Sequence, residues 1–485
     1  RLLPSTFVPT EHQGFVMAMI NLPEASNMNR THSIATRVSE ILHSLPSAEN
    51  AMQFSGIDIM AGGQKPNSAL VGLALTPWSE RTTPDKQLNA VIGQAMRQLS
   101  DIPEATIFAF TPPSLPGIGA LGGATMMIQD RGGSSLAEMN NVSQEFLALA
   151  RKRPELAMAR SSFQANTPAY RYDVNRDKAK TLGVPVNDIF TTLQTFLGGV
   201  PVNDFNRFGR TYKVMLQSQP EFRTDAEATR FFYVRNVHGE MVPLNTLVTP
   251  VVTSGQSVIK RYNGYPAMQI NATAAPGYSS GQAMAALEEV AKQVLPNTFT
   301  FEWADMSHEE KQSGKQTPII FGLALLFVFL CLAALYESWN IPFAVLLSVP
   351  TGIFGSLVFQ YMRGLENSIY MQIGLVMLIG LSAKNAILIV EWAKVRREKG
   401  MEPVEAAIEA AKLRLRPILM TSFAFILGCI PLALSTGAGA AARQALGTTV
   451  VGGMIAATAL GIFLVPVLFV VIEYTHAKIK GFSSR

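Results

Sequence analysis

The stretch 370–393 is apolar almost throughout, yet it carries Lys384 near its middle. Its length suits a helix that crosses a bilayer. Within it, residues 381–391 read LSAKNAILIVE, so Asn385 stands beside the lysine. At about 1.5 Å of rise per residue, Lys384 lies roughly 15 Å from the polar end at Lys394. That is too deep for its side chain to snorkel out. A lysine at the centre of a spanning helix costs about 2.5–3.5 kcal/mol, and something must offset that cost. One reading is a functional charge facing a bundle interior. The other is a static ion pair, or a lysine in a water-filled crevice.

Four further runs have the same character: 318–336, 341–362, 417–436 and 447–472. Residues 1–317 read instead as a domain outside the membrane. A chain of 485 residues has room for about two to four domains. Five spans place the two ends of the membrane region on opposite sides. The loop 394–416 carries Lys394, Arg396, Arg397, Lys399, Lys412, Arg414 and Arg416, and the tail carries Lys478, Lys480 and Arg485. Excess Lys and Arg marks the cytoplasmic side. Threading back from the tail puts 1–317 outside, the link 337–340 inside, and the sparsely charged loops 363–369 and 437–446 outside. The net charge of +5 is then a matter of topology, and no nucleic-acid partner is needed to explain it. The two cysteines, Cys331 and Cys429, both fall inside spans, so the polar domain has no disulfide framework. The sequence opens at Arg1 with no signal peptide. For a large exported domain this implies a further N-terminal portion.

The first 317 residues contain a repeat. Strand patterns at 14–23, 51–60, 67–77 and 105–111 alternate with helical patterns at 28–44 and 84–100. This is the β-α-β-β-α-β, or ferredoxin-like, arrangement. A second copy begins with strand 123–131, helix 134–152 and strand 156–163. It breaks off, then resumes with strand 266–274, helix 279–295 and strand 298–304. The interruption, roughly 162–258, has strands of its own, a helix at 186–198 and a turn at 236–239. The expected fold is therefore α+β: ferredoxin-like subdomains at 1–110 and at 111–161 with 259–305, an inserted docking module at 162–258, a linker at 306–317, and a transmembrane α-helical bundle of five spans.

Lys384 needs a counter-ion, and the only carboxylate within the five spans is Glu391. It lies two turns along the same face, roughly 10 Å away and near the cytoplasmic end, where an interfacial role fits it. Span 417–436 offers Thr421 and Ser422, with Arg414 one heptad before Thr421. Each has an ordinary use, as a packing hydroxyl or an interfacial anchor. Together Lys384, Arg414 and Thr421 make a polar stripe that lacks an acid, and Asn385 is counted with them as a relay residue. A proton relay needs one, because a carboxylate changes charge at accessible pH and an arginine does not. The acid is expected on another segment.

The runs FLCLAALYESWNIPFAVLLSVP, GLSAKNAILIVEWAK and RLRPILMTSFAFILGCIPLALSTGAG resemble the C-terminal half of the resistance–nodulation–division (RND) superfamily. The likeness is to its hydrophobe/amphiphile multidrug efflux pumps of the acriflavine-resistance type. It extends to YNGYPAMQINATAAPGYSSGQAM and VPVNDFNRFGR in the outer domain. The resemblance implies a homotrimeric pump of the bacterial inner membrane with periplasmic porter and docking domains. Such a pump exchanges protons for amphiphilic drugs and works with a periplasmic adaptor protein and an outer-membrane channel. It further implies that Lys384 pairs with two aspartates of the N-terminal half, and that Arg414 and Thr421 belong to the same relay. Phe108 and Phe110 match positions lining the porter cleft, and Arg160 matches a position at its mouth. The loop 56–67, hinged by Gly62 and Gly63, matches a flexible switch loop. Met52, Ile57, Ile59 and Leu70 stand where the best-known members have Phe, which favours aliphatic, adaptable contacts over stacking. Read without the resemblance, the phenylalanines are ordinary strand core, and Ile57 and Ile59 simply alternate along a strand.

Other signals are weak. Met126 and Met127 suggest a soft-metal site, but adjacent strand residues point to opposite faces. The six histidines show no ligand spacing, and no phosphate loop is present, so no metal or cofactor is expected. The glycines of 437–454 read as close-packing or hinge positions between spans. The leading expectation is a drug:proton antiporter, a transporter with no enzymatic chemistry. The alternatives are metal or lipid export on the same fold, or a non-transporting periplasmic scaffold.

Overall fold

In the computed structural model the described residues are 3–9, 11–115, 118–119, 122–339 and 341–483, with backbone alone over 476–483. Arg1, Asn340 of the 337–340 link and the tail charge Arg485 lie outside this description, and so do the side chains of Lys478 and Lys480. The chain divides into two compact units: Arg1–Phe163 with Ile259–Arg485, and Gln164–Val258.

The first unit opens with β1 (Phe15–Asn21), α1 (Met28–His43), β2 (Ala48–Asp58), β3 (Gly63–Leu75), α2 (Leu88–Leu99) and β4 (Thr106–Phe110). The strands pair antiparallel in the order β2-β3-β1-β4. Alternation along each strand divides the sheet into two faces. Val16, Ala18 and Ile20 of β1 join Ala69, Val71 and Leu73 of β3 in a core closed by Ile34, Val38 and Leu42 of α1 and Val91, Ala95 and Leu99 of α2. Those helical positions recur every three or four residues, as an amphipathic face requires. The opposite face carries two cross-strand rows: Phe54, Leu70, Met19 and Phe108, and Met52, Gly72, Met17 and Phe110.

The stretch 56–67, read as a loop, is mostly hairpin. Ile57 pairs with Gln64 and Asp58 with Gly63, leaving a short turn at 59–62. Asp58 holds this turn, its Oδ1 accepting from the Met60 and Ala61 amides at 2.9 and 3.0 Å. Of the two expected hinge glycines only Gly62 has a positive φ, +76°, and Gly63 begins β3. Cross-strand pairing holds the second half of the supposed loop.

A second sheet begins with β5 (Ala124–Asp130), α3 (Leu136–Ala150) and β6 (Leu156–Ser161). The chain then enters the other unit, with β7 (Thr167–Val174), α4 (Arg176–Thr181), α5 (Val186–Leu193), β8 (Val200–Arg207), β9 (Arg210–Leu216), β10 (Tyr233–Arg235), β11 (Met241–Pro243) and β12 (Val248–Gly255). There β7 pairs with β12 around a small core that includes Ile189, Leu244 and Leu247. The β8–β9 hairpin is exposed along nearly its whole length. On returning, the chain forms β13 (Arg261–Tyr262), β14 (Tyr265–Ala274), α6 (Ser280–Val294) and β15 (Phe299–Ala304). The pairings β6-β14-β5-β15 are antiparallel and repeat the strand order of the first sheet. Met126 and Met127 do lie on opposite faces: Met126 pairs with Ile270 and Trp303, and Met127 with Gln269 and Glu302.

A capping box starts α3. The Glu138 amide donates to Ser135 Oγ at 3.3 Å, and Glu138 Oε2 accepts from the Ser135 amide at 2.7 Å. Ser135→Ala is expected to cost about 1 kcal/mol locally. In the full-length protein this would be read as roughly fivefold faster hydrogen exchange across 136–150, with exchange elsewhere unchanged.

The remaining helices are α7 (Asp305–Tyr336), α8 (Ile341–Leu346), α9 (Val349–Met362), α10 (Ile369–Glu398), α11 (Pro403–Ala433) and α12 (Ala440–Ser483). Among the described residues five helical segments are long and apolar enough to cross a membrane, one of them Ile341–Met362. Two local expectations change. The supposed linker 306–317 forms the first turns of α7, and most of the loop 394–416 is helical, with the break after Glu398 and the restart at Pro403. The span 341–362 is interrupted between α8 and α9, because Pro350 has no N–H to return to the preceding turn. Around it the Ser348 and Thr351 amides donate three residues back, to Val345 and Ser348.

Candidate functional site

Two sites emerge, one in the helical bundle and one between the two sheets. In the bundle, α10 is covered on most of its circumference. Met371, Leu375, Leu378, Ser382, Asn385, Ala386 and Ile389 are all buried. Within the apolar span 370–393 the uncovered positions are Ile373, Met377, Gly380, Lys384 and Glu391. Their spacings of four, three, four and seven residues trace one narrow stripe along the helix. Lys384, expected to face inward, lies on this stripe and is exposed. Among the described residues no carboxylate lies within ion-pair distance of it. Lys384 is turned outward because α10 is rotated to bury Asn385, and successive helical residues stand about 100° apart.

Asn385 faces inward. Its Nδ2 donates to Ser422 Oγ of α11 at 3.3 Å and to Thr458 Oγ1 of α12 at 3.4 Å. Thr458 Oγ1 in turn donates to Ser422 Oγ at 2.9 Å. Asn385, Ser422 and Thr458 are 6%, 1% and 7% exposed, so this triangle ties three spans together in a dry environment. Ser382, also buried one turn away, has an Oγ with no partner among the described residues. Thr421 takes no part in the triangle, since its hydroxyl donates to the Ile418 carbonyl at 3.2 Å within its own helix. Arg414 is half-buried, with its guanidinium 4.2 Å above the Trp392 ring and its Nε unpaired. Lys384, Asn385, Arg414 and Thr421 therefore do not form a connected network within this chain. Thr458 is a polar residue that sequence reasoning passed over, and Ser422 was named beside Thr421 but left out of the stripe. A hydroxyl one position from Thr421 was visible, but which of the two turns inward depends on how α11 is rotated.

The second site is a cleft lined by Met60, Phe108, Phe110, Gly122, Met158, Arg160, Asn271 and Thr273. As it stands it encloses about 20 Å³, room for roughly one water molecule. Cross-strand pairing places Met19 between Leu70 and Phe108, and these three bury together with Met60. Ile59, Phe110 and Met158 pack against them. The Phe108 and Phe110 rings lie 5.5 Å apart. The Arg160 guanidinium sits 4.5 Å over the Phe108 ring, and its Nε donates to Met158 Sδ at 3.0 Å. Of the residues matched to a drug path, then, Phe108, Phe110, Ile59, Leu70 and Arg160 converge.

Met52 and Ile57 do not converge with them. Met52 shares the sheet face but lies on the edge strand, three strands from Phe110 or about 14 Å at normal strand spacing, and it is 62% exposed. Ile57 lies beyond the register shift of β2 and is also exposed. Missed by sequence reasoning were Met19, Met60, Met158, Asn271 and Thr273. Period-two alternation could have put Met19 on the Phe108 face. Met158, Asn271 and Thr273 come from the second sheet and carried no local signal.

Lys260 closes one side of this region. Its Nζ donates to the Met60 carbonyl at 3.1 Å and to Gln269 Oε1, linking the β2–β3 turn to the second sheet. Burial lowers its pKa, while the charges of Asp305 and Asp58 oppose that shift.

The sequence profile of the AcrB/AcrD/AcrF family matches residues 1–473. Similar proteins include the toluene efflux pump membrane transporter TtgB of Pseudomonas putida, 43% identical over 473 residues, which are 97% of this chain and 45% of that protein. The multidrug resistance protein MdtF of Escherichia coli (strain K12) is 40% identical over 481 residues, 98% of this chain and 46% of its own length. The multidrug export protein AcrF of the same Escherichia coli strain is 41% identical over 473 residues, 97% of this chain and 46% of its own length. The chain thus spans about half the length of the relatives it matches.

Proposed function

This chain belongs to the AcrB/AcrD/AcrF family, within the RND superfamily, and on that premise we propose that it is the C-terminal half of a proton-driven multidrug efflux transporter. It exports amphiphilic compounds from the inner membrane and periplasm through a tripartite complex. The two repeated sheets act as ferredoxin-like porter subdomains, and Gln164–Val258 acts as the docking module. Residues 1–317 lie in the periplasm, and the C-terminus lies in the cytoplasm. The working assembly is a homotrimer with an adaptor and an outer-membrane channel. Transport runs through the cleft between the sheets, which opens to admit a drug-sized molecule.

The observation that carries this reading is the uncovered stripe of α10. A helix buried on its other sides leaves one row open, and that row holds a charged lysine deep in an apolar span. Such a charge is tolerated where it meets a partner. A partner span bearing carboxylates would cover the stripe and complete a relay with Lys384. Asn385 would hold α10 in register from behind, and Arg414 and Thr421 would lie along the same path. Relatives about twice as long leave room for such a partner in the other half.

The test uses the full-length protein in sealed vesicles, with an imposed proton gradient and a fluorescent amphiphile. Transport should require the gradient and stop when a protonophore collapses it. Gradient-independent transport would remove proton coupling from the proposal. No transport of any amphiphile, with trimers intact, would favour a scaffold.

A further inference from the structure

The polar wall of the cleft offers hydrogen-bond donors and no carboxylate, and this has a structural cause. Lys260 Nζ donates to Gln269 Oε1, which fixes the orientation of the Gln269 amide. Gln269 Nε2 must then point onward, and it donates to Asn271 Oδ1 at 3.1 Å. Thr125 Oγ1 donates to the same oxygen at 3.3 Å. With its carbonyl doubly occupied, Asn271 is left with its Nδ2 donor. That atom is buried and has no acceptor among the described residues, although Asn271 lines the cleft and is only 8% exposed. A buried donor without a partner costs about 1–3 kcal/mol, so its environment favours an acceptor.

Arg160 stands across the strand pairing from Asn271 and also lines the cleft. Its guanidinium is engaged by an aromatic face and a thioether, and no carboxylate pairs with it among the described residues. The charges of Asp58 and Asp305 act on Lys260, and neither residue lines the cleft. Asp58 is moreover committed to the turn amides. Opposite this wall lie Met60, Phe108 and Phe110 of the first sheet, and Met158 stands beside Arg160 on the wall itself, so the rest of the lining is apolar and adaptable.

We propose that this cleft selects amphiphiles with an anionic head group, such as a sulfonate, sulfate or carboxylate. Asn271 and Arg160 contact the head, and Lys260 and Gln269 are positioning residues that set the direction of the donors. The inference rests on the export reading above and names the substrate class of that same cleft.

The experiment compares decanesulfonate with decyltrimethylammonium, which share an alkyl body and differ in head charge. Proton-driven transport of each by the full-length pump in vesicles, and equilibrium binding of each to the solubilised pump, are measured in parallel. The unmodified protein should favour the sulfonate. Gln269→Glu replaces the donor facing Asn271 with an acceptor, so the Asn271 amide turns and offers its oxygen to the cleft. Asn271→Leu removes the donor altogether. Either change should lower the sulfonate-to-ammonium ratio about tenfold or more, the scale of a lost hydrogen bond to a charged group. A purely structural role would lower both probes together and leave the ratio unmoved, and that result overturns the proposal. So does an unmodified protein that shows no preference. If sulfonate binding is preferred and Gln269→Glu removes that preference while no probe is transported, the site stands and the export reading falls. Vesicles with and without phosphatidylglycerol separate the sources of the anion: competition by that lipid assigns the head group to the bilayer, and its lack of effect assigns it to a soluble amphiphile.

Discussion

Lys384→Met in the complete pump is expected to abolish proton-coupled export while trimers still assemble. Methionine keeps an unbranched side chain one heavy atom shorter and removes the charge. Within this chain Lys384 makes no ion pair among the described residues and lies on the uncovered stripe of α10, so its loss leaves the helical core of this half intact. In the complete pump the proposed carboxylate partners would lose their counter-ion. Breaking a buried pair from one side costs about 3–5 kcal/mol, because the remaining charge is uncompensated. The carboxylates avoid that cost by holding their protons, so they no longer cycle. A shift of that size corresponds to a loss of at least about a hundredfold in coupled transport. Accumulation of a fluorescent amphiphile in cells, at matched expression and trimer content, reads the effect directly. Export that survives would make the lysine structural and remove it from the relay.

Gly355→Val is expected to prevent stable assembly of the bundle. Gly355 of α9 faces Gly452 of α12 at backbone contact. A Cβ on Gly355 would sit 2.3 Å from Ala456 Cβ and 2.5 Å from the Gly452 carbonyl oxygen. A carbonyl in a packed helix has nowhere to move. Even alanine clashes here, and valine adds two more carbons. Neighbouring contacts are equally tight, since a Cβ on Gly453 would meet Leu378 Cδ1 at 2.3 Å and one on Gly447 would meet the Ala433 amide nitrogen at 2.4 Å. Relief therefore requires the two helices to separate. That costs about 3 kcal/mol or more and breaks the bonds from Gln360 Nε2 to the Ala445 carbonyl and Thr449 Oγ1 across the same interface. The fraction of full-length protein remaining folded and trimeric after a heating series should fall sharply. Gly322→Ala, at a position with open space around the added carbon, is the matched control and should behave as the unmodified protein. Equal heat resistance of Gly355→Val and the control would show that this contact is not limiting.

Legibility in the sequence followed the range of the physical signal. Strand alternation and helical spacing are local, and the elements of both sheets and the five apolar helices lie close to where periodicity puts them. The glycines of 447–453 were also legible, because only a residue without a Cβ explains their density at a helix interface. The hairpin at 56–67 was misjudged: glycines suggested freedom, while backbone pairing between Ile57 and Gln64 constrains it. In the cleft, Phe108 and Arg160 were reached by resemblance. Asn271 was not, because its place in the cleft depends on the second sheet, and Met60 was passed over although its neighbour Ile59 was matched.

The sequence by itself determined that a lysine and an asparagine lie deep in a spanning helix, that two similar βα units flank an insertion, and that the spans hold a single carboxylate. These follow from residue type, spacing and the low polarity of the bilayer. Only the tertiary structure decided which way each group points. The rotation of α10 turns Asn385 toward Ser422 and Thr458 and leaves Lys384 on the open side, since neighbours on a helix stand about 100° apart and neighbouring helices cover one direction and leave the other. The direction of the Lys260–Gln269–Asn271 chain is likewise a product of the folded sheet. Each amide could face either way until a cation from outside β14 fixes the first of them.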